Sequence, residues 1–240
     1  MRLHRFYIKE QIGGKTQVAL SDSGLIHQMK NVFRFIAGTQ VLLFDGSGFE
    51  YLAIIISIKH DEARFEILEA KDKSSKGQQV WLIAALIKKD NFEWIIEKAT
   101  ELGVTGIIPV ISERSEKKSL NMERGNKILV EASEQSGRVT LPQLKNPQSL
   151  AEVIQSVTQA DEEKMNLISI DPEGKPWPKS GFGQFDSKPA GIFVGPEGGW
   201  SDRELEMFKE AGIAIYSIGS QVLRAETAAV AVSSLLLLGL

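Results

Sequence analysis

From Val80 onward the chain alternates short aliphatic runs with stretches of helical period, and this alternation leaves few folds open. Residues 80–86, 104–110, 167–170, 191–194 and 213–218 read as strands. Between and after them, residues 90–102, 122–135, 149–157, 201–211 and 225–238 read as helices. In the first of these, Phe92, Ile95, Ile96, Ala99 and Leu102 share one face and Gly103 supplies the stop. Repeated βα units require a mostly parallel sheet covered by helices on both faces. The fold class expected for this half is therefore α/β. The stretch 171–188, rich in Gly, Pro, Lys and Ser, interrupts the pattern as a long loop of the kind that is mobile or functional.

The first part of the chain is different. Residues 1–70 read as a small β-rich unit, with strands at 17–20, 40–44, 49–58 and 63–68. Asp45-Gly46-Ser47-Gly48 is a hairpin turn between two of them. One helix fits 23–33, where Leu25, Ile26, Met29, Val32 and Phe33 fall at helical spacing. Residues 71–79 are polar and charged, with Ser, Gly and Gln, a linker composition. The expected division is thus 1–70, a linker at 71–79, and a second domain at 80–240.

Composition removes several chemistries. The chain has no cysteine, so disulfides, thiol nucleophiles and cysteine metal sites are excluded. His4, His27 and His60 are far apart and all N-terminal, which argues against a metal site and leaves the second domain without a histidine base. The apolar run at 228–240 is broken by Ser233, Ser234 and Gly239 and is too short for a membrane span, so a core helix is expected. The start, Met1-Arg2-Leu3-His4-Arg5, turns polar too quickly for a signal peptide. A cytoplasmic protein with no membrane partner follows as the expectation. Net charge is −3, yet Arg2, Arg5, Lys9, Lys15, Lys30 and Arg34 face only Glu10 and Asp22 in the first 34 residues. That bias suits either a phosphate-docking patch or a solvated face.

Two loops carry the chemistry. Gly195-Pro196-Glu197-Gly198-Gly199-Trp200-Ser201 follows a strand and precedes Ser201-Asp202-Arg203-Glu204, a capping box. Glycines admit a ligand close to the backbone, and the helix start aims free N–H groups at the loop. A tight αβ turn is the simpler alternative for the glycines alone. A second loop, 217–227, has the same strand-to-helix setting. Neither matches a dinucleotide fingerprint or a Walker A loop. Glu197 would repel a polyphosphate, so a neutral or cationic ligand is favoured.

These loops, Glu134-Gln135-Ser136 with Arg138, His4-Arg5-Phe6, the His27 to Arg34 stretch, and Thr100 to Val104 followed by Glu113-Arg114-Ser115 together resemble the RsmE family. That family comprises 16S ribosomal RNA uridine-N3 methyltransferases of the SPOUT, or knotted, superfamily. The resemblance runs through nearly the whole chain. Departures are Phe33 where leucine is usual, Gln221 where arginine is frequent, and Trp200 where phenylalanine is commoner.

The resemblance implies a PUA-like β-barrel that helps hold RNA, and a SPOUT α/β domain whose C-terminal chain forms a trefoil knot. It implies S-adenosylmethionine (SAM) bound in that knot, in a homodimer, with 16S rRNA of the small subunit as partner. The cofactor would rest on Ile170, Gly195, Pro196, Glu197, Gly198, Gly199, Ile218, Gly219, Val222, Leu223 and Arg224. Attack by uridine N3 requires loss of its proton or stabilisation of the resulting anion. Arg138 and Arg224 are the candidate cations, with Glu226 or Glu134 as proton acceptor or orienting group. Arg224 and Glu226 also fit a plain ion pair at a helix start, and Glu197 a helix-dipole role. Arg2, Arg5, Arg34 and Arg114 are candidates for RNA phosphate. No metal is expected. Two other readings fit the same features: a knotted methyltransferase of another RNA, and a non-catalytic RNA-binding protein of ribosome assembly.

Overall fold

The computed structural model describes residues 3–74, 77–159, 165–178 and 188–238. The chain falls into two compact units, Met1–Lys76 with Ser133–Leu141, and Gly77–Ala132 with Pro142–Leu240.

In the first unit, alternating strands β1 (Arg5–Tyr7), β2 (Gln17–Leu20), β3 (Gln40–Phe44), β4 (Phe49–Ile58) and β5 (Ala63–Asp72) form one sheet in the order β1-β3-β4-β5-β2. Irregularities in the β4–β5 pairing, at Leu52/Ala53 and Ile55/Ser57, add the local twist by which such a sheet curls. Phe6, Ile8, Met29, Leu43, Ile55 and Phe65 are fully buried in its core. Asp45 shapes the hairpin turn, accepting from Ser47 N at 3.0 Å and from Ile12 N at 2.8 Å.

Three expectations change here. The helix over 23–33 is a short α-turn, α1 (Ser23–His27), followed by a π-helical turn at Gln28–Val32. Its wider bond, Phe33 N to Gln28 O at 3.0 Å, ends the helix, and Phe35 N then bonds Met29 O at 2.9 Å. Strand β5 runs on to Asp72 because Lys71 and Asp72 stay paired with Glu50 and Phe49, so the first residues of the expected linker are sheet. Residues 133–141 also group with this unit: Glu134 Oε1 accepts from Tyr7 N at 2.9 Å, which secures the edge of β1.

The second unit is a parallel sheet, in the order β12-β10-β11-β6-β7-β8, from β6 (Val80–Ala85), β7 (Gly106–Ile111), β8 (Gln143–Leu144), β10 (Asn166–Pro176), β11 (Ala190–Val194) and β12 (Ala214–Ser217). A two-residue β9 (Gln148–Ser149) also pairs with β7. Helices α2 (Lys89–Leu102), α3 (Met122–Ser136), α4 (Leu150–Gln159), α5 (Asp202–Glu210) and α6 (Ala225–Leu237) complete it. All five residues of β11 are buried, as a central parallel strand requires. One core, on α2 and α6, includes Phe92, Ile96 and Val232; another, on α4 and α5, includes Val153, Phe193 and Phe208. The loop expected from Asp171 begins instead as strand. After Ile170, β10 bulges away from β12 and rejoins it at Lys175, with Gly174 so close to Tyr216 that a Cβ would lie 2.6 Å from its backbone. Residues 179–187 of that stretch lie outside the described residues.

Candidate active site

Strands β10, β11 and β12 are parallel neighbours that end side by side, and the C-terminal edge of such a sheet is where ligands bind in α/β folds. The chain leaving each strand contributes one wall of a single cavity of ≈ 260 Å³. Ile170, Asp171 and Pro172 come from β10, Val194–Trp200 from β11, and Ser217–Gly219 and Gln221–Leu223 from β12. Ala225 and Ala228, three residues apart on the first turn of α6, close the apolar side. Ten of the residues expected around the cofactor, all but Arg224, share this one cavity.

The glycine-rich loop is held from behind. Gly199 has φ +69°, a backbone conformation that glycine adopts without penalty. Trp200 is buried, packs edge-on to Phe208 at 5.0 Å, and donates its indole N–H to Ile170 O at 3.3 Å. The indole therefore ties the β11 loop to the end of β10. It also fills the space beside Gly195, where a Cβ would sit 3.2 Å from the ring.

The start of α5 anchors the same loop. Ser201 and Glu204 form the expected capping box, with Glu204 N to Ser201 Oγ at 3.2 Å and Ser201 N to Glu204 Oε2 at 2.8 Å. Glu204, 2% exposed, accepts a further bond from Glu113 N at 2.8 Å. Beside it, Arg114 Nη1 donates to Gly198 O at 2.7 Å and Trp200 O at 3.3 Å, and its aliphatic stem covers the Cα of Gly198. The turn after β7 is thus bolted to the glycine-rich loop. Lys118 Nζ to Ser112 O at 3.0 Å and the Ser112–Ser115 hydroxyl pair at 2.8 Å brace that turn.

The cavity wall carries two carboxylates, Asp171 and Glu197, and no lysine or arginine among the described residues. Asp171 is buried and accepts from Glu173 N at 2.9 Å; Glu197 is exposed. Arg224 is the N-cap of α6, exposed, with no side-chain capping bond. No ion pair joins it to Glu226 among the described residues. Glu226 Oε2 is instead shut off from solvent, with no hydrogen-bond partner among the described residues.

The chain matches the family described as "RNA methyltransferase domain" over residues 74–237, and "RNA methyltransferase PUA domain" over 26–68. It is 30% identical to ribosomal RNA small subunit methyltransferase E of Rickettsia conorii, over 100% of this chain and 97% of that protein. The chain belongs to the small-subunit ribosomal RNA methyltransferase E family. Two solved structures resemble it along their whole length. One is the methyltransferase E of Neisseria gonorrhoeae bound to SAM: TM-score 0.83, 28% identity, 97% of this chain and 96% of that one. The other is a putative methyltransferase of Legionella pneumophila with SAM bound: TM-score 0.87, 27% identity, 100% and 98%.

The remaining expected residues are not among those that line the cavity. Arg138 belongs to the first unit, half-buried, with Nε donating to Thr140 O at 3.2 Å. Burial pushes its pKa down, yet a guanidinium stays charged at neutral pH. Glu134 commits one oxygen to Tyr7 N, a structural bond. The Arg5 side chain is 13% exposed, and its guanidinium grips Glu50 through Nε, at 2.9 Å, and Nη2. A charge already neutralised by a buried carboxylate is a poor phosphate contact. Arg114, expected at phosphate, has Nη1 on the glycine-rich loop. Arg34 is exposed, and Arg2 lies outside the described residues. Local sequence did not show the bracing role of Trp200, the bond from Glu113 N to Glu204, or the place of Ala225 and Ala228 in the cavity wall. The alanine pair at i, i+3 beside a loop was the available signal for the last two.

Proposed function

We propose that this chain transfers the methyl group of SAM to N3 of a uridine in the 16S rRNA of the small ribosomal subunit. The observation that carries the reading is the convergence of three post-strand loops on one cavity with acidic groups and no cation on its wall. A polyphosphate nucleotide would meet repulsion there. A sulfonium cofactor would not, since Asp171 and Glu197 complement its charge. Apolar Ile170, Val194, Ile218 and Leu223 suit the faces of an adenine, and Gly195 to Gly199 and Gly219 offer backbone groups free of side chains. No helix among the described residues is long and apolar enough to cross a membrane. A cytoplasmic enzyme acting on ribosomal subunits agrees with that.

When bound, SAM supplies an electrophilic methyl group on a sulfonium sulfur. The residues of the chain handle the uridine. Its N3 carries a proton at neutral pH, and removing that proton leaves negative charge across the base. Arg224, exposed beside the cavity, offsets that charge, and so does Arg138 of the partner subunit in a homodimer. Glu226 either takes the proton or orients a guanidinium. Its unpartnered buried oxygen supports a role that is completed only when another group arrives, because an unsatisfied buried acceptor costs about 1–3 kcal/mol. A C-terminal trefoil knot is part of this reading, and the packing of α6 on α2, β6 and β11 after the 217–223 loop is compatible with it.

The test is methyl transfer from labelled SAM to small subunits of a strain deleted for the gene, with the product mapped by mass spectrometry. One N3-methyluridine in 16S rRNA is expected. Modification at another nucleotide or in another RNA overturns the target. Absence of both transfer and SAM binding favours the ribosome-assembly reading. An Arg138→Ala protein that bound SAM and methylated normally would remove Arg138.

A further inference from the structure

Arg34 is the one non-glycine residue with φ in the left-handed region among the described residues, at +55°. It follows the π-helical turn, at a helix-terminating position where glycine is usual and a side chain carries a backbone penalty. An outlier of that kind points to a task for the side chain. Arg34 is exposed, and among the described residues its side chain makes no hydrogen bond or ion pair. On either side of it stand Phe33 and Phe35, whose rings stack at 5.3 Å and 15°. His4 lies over Phe33 at 4.3 Å and near Phe35 at 5.4 Å, and its side of the cluster is exposed. Buried Phe6 backs both phenylalanines, at 5.8 and 6.1 Å. The aromatic layer is therefore fixed to the core through Phe6, with Phe33 and Phe35 half-buried and His4 exposed.

The surroundings are apolar and basic. Val32 and Ile36 are 63% and 73% exposed, high values for aliphatic residues on structured segments. The loop bearing Ile36 is held by Ile36 N to Thr39 Oγ1 at 3.3 Å, Thr39 N to Ile36 O at 3.1 Å and Gly38 N to Ile55 O at 2.8 Å. Residues 23–38 contain Lys30 and Arg34 and no carboxylate. A rigid ledge with ring faces, aliphatic flanks and an unpaired guanidinium matches the flat faces and the phosphate of an unpaired nucleotide, and a duplex would hide those faces.

We infer that His4, Phe33, Arg34 and Phe35 form a stacking ledge for an unpaired base of the RNA, with Arg34 on the adjoining phosphate. The inference rests on the proposed action on RNA and adds a base-binding surface in the first unit. Phe33 stands where the family that the chain resembles usually has leucine, so the ledge extends what a leucine at that place would offer.

The test uses the full chain with a labelled oligouridylate of about a dozen nucleotides and an RNA duplex of equal length, read by fluorescence anisotropy across a salt series. Phe33→Leu keeps an aliphatic group on the core, and with His4→Ala it is expected to weaken single-strand binding about ten-fold while leaving duplex binding unchanged. Arg34→Gly is expected to hold or raise Tm, because glycine relieves the backbone penalty, and to lower the slope of log K against log salt by about 0.7. Opposite signs for stability and binding in that variant exclude simple unfolding. Unchanged single-strand affinity in Phe33→Leu and His4→Ala, or equal loss on duplex, overturns the ledge. Methyl transfer to small subunits is measured on the same samples. Transfer by the wild type without oligouridylate binding overturns the ledge alone, whereas binding without transfer overturns the methyltransferase reading alone.

Discussion

Arg114→Ala distinguishes two roles for one guanidinium. In the structure Arg114 Nη1 bridges Gly198 O at 2.7 Å and Trp200 O at 3.3 Å, so it holds the ends of the tightest part of the glycine-rich loop. A hydrogen bond from a charged donor contributes about 1.5–3 kcal/mol. The side chain is exposed and the second contact is long, which places the pair near 2 kcal/mol rather than at twice a single bond. If that energy goes into ordering the loop before ligand arrives, its loss raises the Kd for SAM by about 30-fold. Arg114→Lys, able to reach one carbonyl but not fork between two, should fall between the wild type and alanine. A phosphate contact makes a different prediction: an unchanged Kd for SAM and a drop of about 0.7–0.9 in the salt slope of RNA binding. Calorimetric titration with SAM and a salt series of RNA binding, on the same preparations, separate the two. An Arg114→Ala protein with wild-type SAM affinity and a reduced salt slope would refute the loop-holding argument.

Gly195→Ala puts a methyl group 3.2 Å from the buried Trp200 ring, which also packs against Phe208, so an overpacking loss of about 1–3 kcal/mol in stability is expected by denaturant titration. Adding Trp200→Phe should recover much of it, a non-additivity that identifies the ring as the obstacle; additive losses would show another cause. Glu50→Gln tests the buried cluster in the first unit. Burial alone would raise the Glu50 pKa, but bonds from Lys73 and Arg5 outweigh it and hold the carboxyl below its ordinary range. A depressed folded pKa gives stability that is present above the unfolded pKa, near 4.5, and is lost as pH falls through the folded value. The variant should therefore have a lower Tm at pH 7 and a flatter decline of Tm below about pH 4.5 than the wild type; parallel Tm–pH curves would count against the cluster.

Much of the fold was legible because its signals are local. The period of Phe92, Ile95, Ile96 and Ala99 places them on one face of α2, and that face is buried. The capping box at Ser201 and Glu204 is a four-residue device, readable without knowing what surrounds it. The glycine-rich loop and the 217–223 loop were each visible as strand-to-helix connections. The places where local reading failed are also informative. Strand β1 is three residues long, too short to show alternation, and exists because β3 pairs with it. Strand β5 outruns its apolar pattern because backbone pairing with β4 does not depend on the side chains of Lys71 and Asp72. The bulge in β10 after Ile170 is held by β12, more than forty residues later in the chain.

The α/β class, the N-terminal β-rich unit, the two loops and the absence of cysteine chemistry are all readable along the chain, since periodicity, turn chemistry and composition are properties of neighbouring residues. Tertiary structure decided which charges are available. Arg5, Arg34 and Arg114 look alike in a sequence, yet one is neutralised by Glu50, one is exposed on a strained backbone, and one holds Gly198 and Trp200. It also decided that the two loops share a cavity, because only the strand order β12-β10-β11 brings the ends of strands distant in the chain side by side. A side chain's charge is written in the sequence; what neutralises it depends on long-range packing, which no local pattern encodes.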